Sequence, residues 1–314
     1  MFDEPLSSAK FNFREFLGCT NVSLTRREMR KCKKGVQKMI AALGQGVSAA
    51  HYHCQEQFKY ERWNCTAPQG QRQPFGNIVD YNTAESAYVY AITAAAVTYS
   101  IIQVCDKRDA NPICGCNKTE TSWLSSLAFP KLCPTALERG MMIARRFIDE
   151  MAEVSESGRQ AERRMINHHN NLAGWKAVNN SIVTVCRCWG LVQTPDCLIK
   201  ACYKKLKHFK EVAAYLKLHY NTAVRVRANR QGTVLRNHDL NSYPFTDGDF
   251  VYRQKTPNLC QRHLNQGLLG VRGRECSTDV QHPTYCNTFC CNFGYRTQYP
   301  LLRNLLEENS GGLG

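Results

Sequence analysis

A mainly α-helical bundle stapled by disulfides, with a small cysteine-rich β and loop module towards its carboxy-terminal end, is the fold class this sequence predicts. Three observations predict it. Seventeen cysteines fall within 314 residues, most of them close together in sequence at 54/65, 105/114/116/133, 186/188/197/202 and 260/276/286/290/291. Long stretches with helical apolar spacing recur up to about residue 226. Beyond that point the helical period is lost while the cysteines continue. A chain this long can bury a substantial core unaided, so the cysteines report an oxidising compartment rather than the rescue of a tiny fold.

The first helix expected is SAYVYAITAAAVTYSIIQV, Ser86 to Val104, which carries no charge over 19 residues. That is long enough to cross a bilayer. Ser, Thr, Tyr and Gln dilute it, and Asp106, Lys107, Arg108 and Asp109 follow Cys105, so it reads as a helix buried on nearly all sides and not as a transmembrane segment. In LERGMMIARRFIDEM the apolar stripe is Leu137, Met141, Ile148 and Met151, with Arg139, Arg145 and Arg146 mostly off it, and Ser155 to Gly158 interrupts the pattern. A third helix from about Arg159 to Val178 puts Met165, Leu172 and Trp175 at spacings that share one face. A fourth, YKKLKHFKEVAAYLKLHY, buries Leu206, Phe209, Ala213 and Leu216 and displays its lysines. Residues 1–226 therefore form a helical unit, 227–249 a polar linker rich in turn formers, 250–300 a small loop-and-hairpin module held by bridges, and 301–314 a frayed tail.

A zinc site needs paired cysteines on tight turns, and no C-x-x-C occurs; the C-x-C units Cys114/Cys116 and Cys186/Cys188 are each followed by cysteines that can partner their members separately. Disulfides are favoured over metal, and no cofactor is expected. The formal charge is 41 minus 26, or +15, which suits acidic partners. Between Lys200 and Arg236 ten basic residues face only Glu211. Lys200, Lys204, Lys205, Lys207 and Lys210 are candidates for a heparan-sulfate patch, and equally for a solvated helix face. Nucleic acid fits poorly with a disulfide-rich secreted chain. The start, MFDEPLSSAK, has no apolar stretch of leader length, so secretion to the extracellular space or matrix requires that a leader has been removed from this numbering. Asn21, Asn64, Asn117 and Asn179 lie in N-x-S/T triplets and are glycosylation candidates.

Several segments in one order resemble the Wnt family: CQEQFKYERWNC (Cys54 to Cys65), ESAYVYAITAAAV, the CGC at Cys114 to Cys116, INHHNNLAGWKAV, VCRCWG, HYNTAVRV, FVYRQKTPNLC and CNTFCCNFGY. The match runs from about Cys19 to Tyr295. The resemblance implies a saposin-like helical core with β-hairpin loops, and the pairs Cys19–Cys32, Cys54–Cys65, Cys105–Cys114, Cys116–Cys133, Cys186–Cys202, Cys188–Cys197, Cys260–Cys291 and Cys276–Cys286. It leaves Cys290 unpaired, because the family's partner for that cysteine lies on a carboxy-terminal hairpin this sequence does not contain. The short second module is compatible with a truncated or alternatively spliced member.

The resemblance also implies a mechanism. Wnts grip a Frizzled-type cysteine-rich domain with a thumb loop bearing an acylated serine and with a carboxy-terminal finger. Where a typical thumb reads C-H-G-V-S-G-S-C, this sequence reads Cys188, then Trp189, Gly190, Leu191, Val192, Gln193, Thr194, Pro195 and Asp196, then Cys197. The loop is two residues longer, with Val192 in the serine's place and Thr194 as its only hydroxyl; Pro195 reshapes it. The expectation is a soluble ligand without lipid, a divergent branch of the WntD type. Trp189, Leu191 and Val192 are either a smaller apolar receptor tip or, for Trp189, packing against the loop's own bridge. A low-density-lipoprotein-receptor-related coreceptor is a further expected partner. A soluble antagonist of the same receptors is the competing reading. A secreted hydrolase built on His168, His169, Asn170 and Asn171 is the reading from another class. It lacks any G-x-S-x-G, H-E-x-x-H or calcium-loop pattern, so the chain is read as a non-enzyme.

Overall fold

The computed structural model describes residues 26–70, 74–106, 113–116, 132–152, 159–188, 200–229, 231–239 and 243–297. Helices α1 (Arg26–Phe58), α2 (Ala84–Asp106), α3 (Pro134–Ala152) and α4 (Arg159–Asn180) are followed by strands β1 (Ile182–Cys188) and β2 (Lys200–Leu206). Then come α5 (Phe209–Asn221), β3 (Val224–Ala228), β4 (Leu235–Asn237), β5 (Val251–Tyr252) and the short α6 (Cys286–Phe289).

Helix α2 is the axis of the bundle: α1, α3, α4 and α5 all pack on it. Its length and mean hydropathy of 1.5 would allow a membrane crossing, but 89% of that window is buried inside the protein. The reason lies in its composition. Alanines on every face admit close neighbours, and the few hydroxyls turn back onto their own helix, with Thr93 donating to the Val89 carbonyl and Thr98 to that of Ala94 at 2.7 Å. Thr83 caps its start: its Oγ1 accepts from Ser86 N–H, and its carbonyl accepts from Ser86 Oγ. Glu85 in the first turn is fully buried yet satisfied, accepting Tyr220 Oη–H at 3.0 Å and Thr256 Oγ1–H at 2.6 Å. Its charge also suits the helix amino terminus.

Helix α1, 33 residues long, is an element the sequence reading did not mark. Its buried positions Val36, Met39, Leu43, Ala50, Cys54 and Phe58 follow helical spacing. Gly46 lets it approach α2 so closely that a Cβ there would stand 2.7 Å from Val97 Cα. Two other elements differ from expectation. The stretch before Phe209 is strand β2, not the start of a helix: it pairs antiparallel with β1 from Ile182↔Leu206 to Cys188↔Lys200, and helix begins only after the His208–Glu211 capping box. In α4 the deep residues are Ile166, Asn170, Ala173, Ala177 and Val178, while Met165, Leu172 and Trp175 are half-buried at the margin. Small side chains at this seam let the two backbones close on each other, since a Cβ on Gly174 would overlap the Ala91 carbonyl of α2.

The polar stretch 227–249, expected as a linker, contributes to a small sheet of order β4-β3-β5, with β3 parallel to β5. Ile166 of α4 packs under it with Val226 and Val251. Asn170, also on α4, extends the pairing: its amide donates to the Val251 carbonyl and accepts Val251 N–H, each at 2.9 Å. The carboxy-terminal module has little regular structure beyond α6, and Cys260–Cys291 and Cys276–Cys286 hold it. Arg274 fastens it to the helical body, donating to the carbonyls of Glu61 and Arg62 at 2.7 Å and of Lys59 at 3.3 Å while it stacks over Phe289. Backbone carbonyls accept a guanidinium fork without neutralising it, so burial pushes the Arg274 pKa down from its ordinary value.

Candidate functional site

The β1–β2 hairpin is a two-stranded antiparallel ribbon that follows α4. Its base is pinned where Ile182 pairs with Leu206, which is buried in the core, and where Lys207 N–H donates to the Ser181 carbonyl. Further out, Cys186 and Cys202 face each other in register and are joined. A cross-strand bridge in register stiffens a two-stranded ribbon that would be marginal in water alone. The stem therefore holds Cys188, its last paired residue, on a braced support. The loop residues Trp189, Gly190, Leu191, Val192, Gln193, Thr194, Pro195 and Asp196, with Cys197, lie outside the described residues.

The disulfides show how the exposed segments are held. Cys54–Cys65, Cys105–Cys114 and Cys116–Cys133 join in the helical body, closing sequence separations of 11, 9 and 17 residues. Cys32 is also disulfide-bonded; its expected partner Cys19 lies outside the described residues, as does the expected pair of Cys188. Each bridge contributes roughly 2 to 4 kcal/mol in the loop-entropy picture. Cys290 is a free thiol, half-buried, with its Sγ 3.5 Å from that of Cys276. Two sulfur-rich clusters reach metal-ligand proximity, Cys276/Cys286/Cys290 and Asp106/Cys116/Cys133. In each, two of the sulfurs are already spent on a disulfide, so neither offers the thiolates a metal would need.

The lysine run is divided between a strand and the start of a helix. Lys204 and Lys205 are adjacent on β2 and so point to opposite faces, while Lys207 and Lys210 flank the start of α5; all four are exposed. Lys200 sits at the outer end of β2 opposite Cys188. Of the glycosylation candidates, Asn179 is exposed near the end of α4 and Asn64 is half-buried beside Cys65; Asn21 and Asn117 lie outside the described residues.

The histidine and asparagine cluster is occupied with holding the fold. His168 meets Asp149 at 3.0 Å, and Arg145 meets the same carboxylate on α3. Asn171 is buried with its side-chain oxygen unpartnered among the described residues. His169 Nε2 lies 2.9 Å from the Asp249 carbonyl, and its ring meets Phe245 edge-on. Burial lowers the His169 pKa below its ordinary 6.5, the Asp249 carbonyl bond opposing this. The unfolded chain takes up this proton near 6.5 while the folded chain resists, so the unfolded state binds more protons below that value. Stability contributed by neutral His169 is complete above 6.5 and declines as pH falls. Urea midpoints measured from about pH 7.5 down to about pH 5.5 are expected to drop more steeply for the natural protein than for His169→Gln. Equal slopes would assign the decline to His51 and His53, whose values burial also lowers.

The sequence reading missed Glu85, which is buried with two hydroxyl donors, and Arg274, which joins residues more than 200 positions apart. Gly270 and Gly273 mark the turn around Arg274 in the sequence, but nothing local marks its partners.

Comparison with known proteins agrees with this architecture. The family model described as the Wnt family matches residues 20–303. Protein Wnt-16 of Bos taurus is 30% identical over 300 residues, spanning 93% of this chain and 82% of its own length; that of Mus musculus is 29% identical over 305 residues with the same coverage. Among solved structures, human WLS in complex with WNT8A superposes with a TM-score of 0.59 at 24% identity, over 91% of this chain and 86% of that one. The Drosophila WntD N-terminal domain and linker gives 0.43 at 20% identity, over 71% and 98%, and does not decide a subgroup. A family match over nearly the whole chain, on a disulfide-stapled helical bundle, makes this protein a member of the Wnt family of secreted signalling ligands.

Proposed function

We propose that the protein is a water-soluble ligand that binds Frizzled-type cysteine-rich domains through the loop between Cys188 and Cys197, without a lipid on that loop and without enzymatic activity. The observation that carries this reading is the braced β1–β2 stem, which ends at that loop. The loop sequence supplies the chemistry: Trp189, Leu191 and Val192 offer an apolar tip, and Val192 stands where a typical member has its serine. An acyl chain would add about 0.8 kcal/mol of anchoring per buried methylene; a Trp and two aliphatic residues give a smaller anchor that needs no lipid to stay in water. A low-density-lipoprotein-receptor-related coreceptor and heparan sulfate are the further extracellular partners that suit its basic charge, with Lys200 to Lys210 as a first candidate for the latter.

The paired substitution Trp189→Ala/Leu191→Ala is expected to weaken binding to a Frizzled cysteine-rich domain by at least about 2 kcal/mol, the size of an interface hot spot. Titration calorimetry with purified protein reads it. An unchanged affinity would remove the loop from the interface. An acyl adduct on Thr194 in the intact mass of the secreted protein would defeat the lipid-free part. A β-catenin reporter, run with this protein alone and then against an ordinary Wnt, separates agonist from antagonist.

A further inference from the structure

Three cysteine sulfurs meet in the carboxy-terminal module, and only two of them can be bridged to each other at a time. Cys276 and Cys286 are joined, and the free Sγ of Cys290 stands 3.5 Å from that of Cys276. All three sulfurs lie within 4.8 Å of one another. The local backbone gathers them. α6 is a single turn in which Cys290 N–H donates to the Cys286 carbonyl at 3.0 Å, so these two cysteines stand one turn apart on the same side of it. Cys276 is drawn alongside because Cys286 N–H donates to the Ser277 carbonyl at 2.9 Å and Ser277 N–H to that of Thr284 at 3.0 Å.

The three sulfurs differ in access to solvent. Cys276 and Cys290 are half-buried, whereas Cys286 is 2% exposed and is, with Phe289, one of the two buried residues of α6. A thiol that solvent reaches can be oxidised or captured by a foreign disulfide, while one enclosed in apolar surroundings is inert. A bridge from Cys276 to Cys290 would leave the spare thiol on the enclosed Cys286. The two pairings therefore hold the same stretch of chain but differ in whether the remaining sulfur can be reached.

We propose that Cys276, Cys286 and Cys290 form an internal exchange triad, in which the bridge passes between Cys276–Cys286 and Cys276–Cys290 and the spare thiol between Cys290 and Cys286. The Cys290 thiol gives its proton to water and the thiolate forms a bond to Cys276 Sγ. The Cys276–Cys286 bond breaks, its electron pair leaves on Cys286 Sγ, and that sulfur takes a proton back. One disulfide and one thiol stand on each side of the reaction, so no oxidant or reductant is consumed. Attack runs along the line of the bond being broken, and sulfurs as close together as these are not in line at rest. Cys290 must turn about its Cα–Cβ bond to attack, which places the exchange among slow disulfide rearrangements. The device keeps the module covalently stapled while withdrawing its reactive sulfur from solvent. Neither the Cys188–Cys197 loop nor receptor binding enters it.

The test incubates the full chain at about pH 8.5, where an ordinary thiol is half ionised, and stops exchange by acid. Free thiols are then alkylated in acid under denaturing conditions, and bridges are mapped by mass spectrometry of an acid digest. Label is expected on Cys286 as well as Cys290, the former in more than about a tenth of the molecules, with Cys276–Cys290 found in the same fraction. Cys290→Ser is expected to carry no label at Cys276 or Cys286. Cys286→Ser is expected to close Cys276–Cys290 and to carry no label at either. Label on Cys290 alone in the natural chain, or on both Cys276 and Cys290 in folded Cys286→Ser, would overturn the triad. So would label spread over Cys260 and Cys291, because the sulfurs would then exchange without regard to the cluster, or disulfide-linked dimers through Cys290 as the main product. Should Cys286→Ser fail to fold, the map of the natural chain decides alone.

Discussion

Phe58→Ala is expected to lower the free energy of unfolding by about 3 to 5 kcal/mol, the range for removing a large aromatic from a packed core. The ring is fully buried at the end of α1 and meets Trp63, Tyr88 and Tyr220 edge-on at centroid distances of 4.9, 4.7 and 4.9 Å. On one side the Lys217 ammonium stands 3.6 Å from its centroid while pairing with Glu61. A single deletion therefore opens a cavity, ends three aromatic contacts and leaves a half-buried cation with only the Tyr220 ring, 4.5 Å away. Because a domain's whole stability is typically about 5 to 15 kcal/mol, the loss should be plain in urea titrations with the disulfides kept intact. A change below about 1 kcal/mol would mean that the surrounding rings collapse onto the space and that α1 is not anchored here.

Gly174→Val should cost more than about 3 kcal/mol, beyond the ordinary range for overpacking. A Cβ at position 174 would overlap the carbonyl of Ala91 on α2, and backbone cannot swing aside as a flexible side chain does. The helices would have to part, and every contact between α2 and α4 would loosen with them. The control is Gly44→Ala: that glycine lies in α1 with nothing within 4 Å of its would-be Cβ. Alanine there is expected to be neutral or to stabilise by up to about 1 kcal/mol through its better helix propensity. If both changes proved equally mild, the close seat of α4 on α2 would be wrong.

These two sites show how far local patterns reach. The uncharged run of α2 could be read at once, because burial on all sides removes every need for a polar face. The stripe of α3 was legible for the opposite reason: Leu137, Met141 and Ile148 are buried, together with Ala136, Ala144 and Phe147, and its arginines lie mostly outside them, while the side chain of Met151 lies outside the described residues. For α4 the large residues pointed the wrong way. Met165, Leu172 and Trp175 looked like a core face, yet Ile166, Asn170 and Val178 lie deepest, with Ala173, Gly174 and Ala177 beside them. A helix seated this closely on its neighbour is chosen for fit, and fit depends on a partner some 80 residues away. Strand β2 was hidden similarly, since Leu206 and Phe209 share helical spacing until the pairing with β1 is known.

The candidate site divides along the same line. The residues between Cys188 and Cys197 are contiguous, so their chemistry stands in the sequence, and the bridge pattern was implied by family resemblance. The fastening of the carboxy-terminal module does not, because Arg274 meets the Glu61 and Arg62 carbonyls only when the two parts of the chain close on each other.

By itself the sequence determined the compartment, the central helix, the cysteine-rich character of the second part and the family, since each depends on composition or on residues adjacent in the chain. Only the tertiary structure decided which helix faces are buried, that the stretch 227–249 adds a strand to the sheet over α4, and where Arg274 joins the carboxy-terminal module to the loop after α1. Those outcomes are set by close packing and by hydrogen bonds between distant backbone groups, and neither is encoded in any one segment.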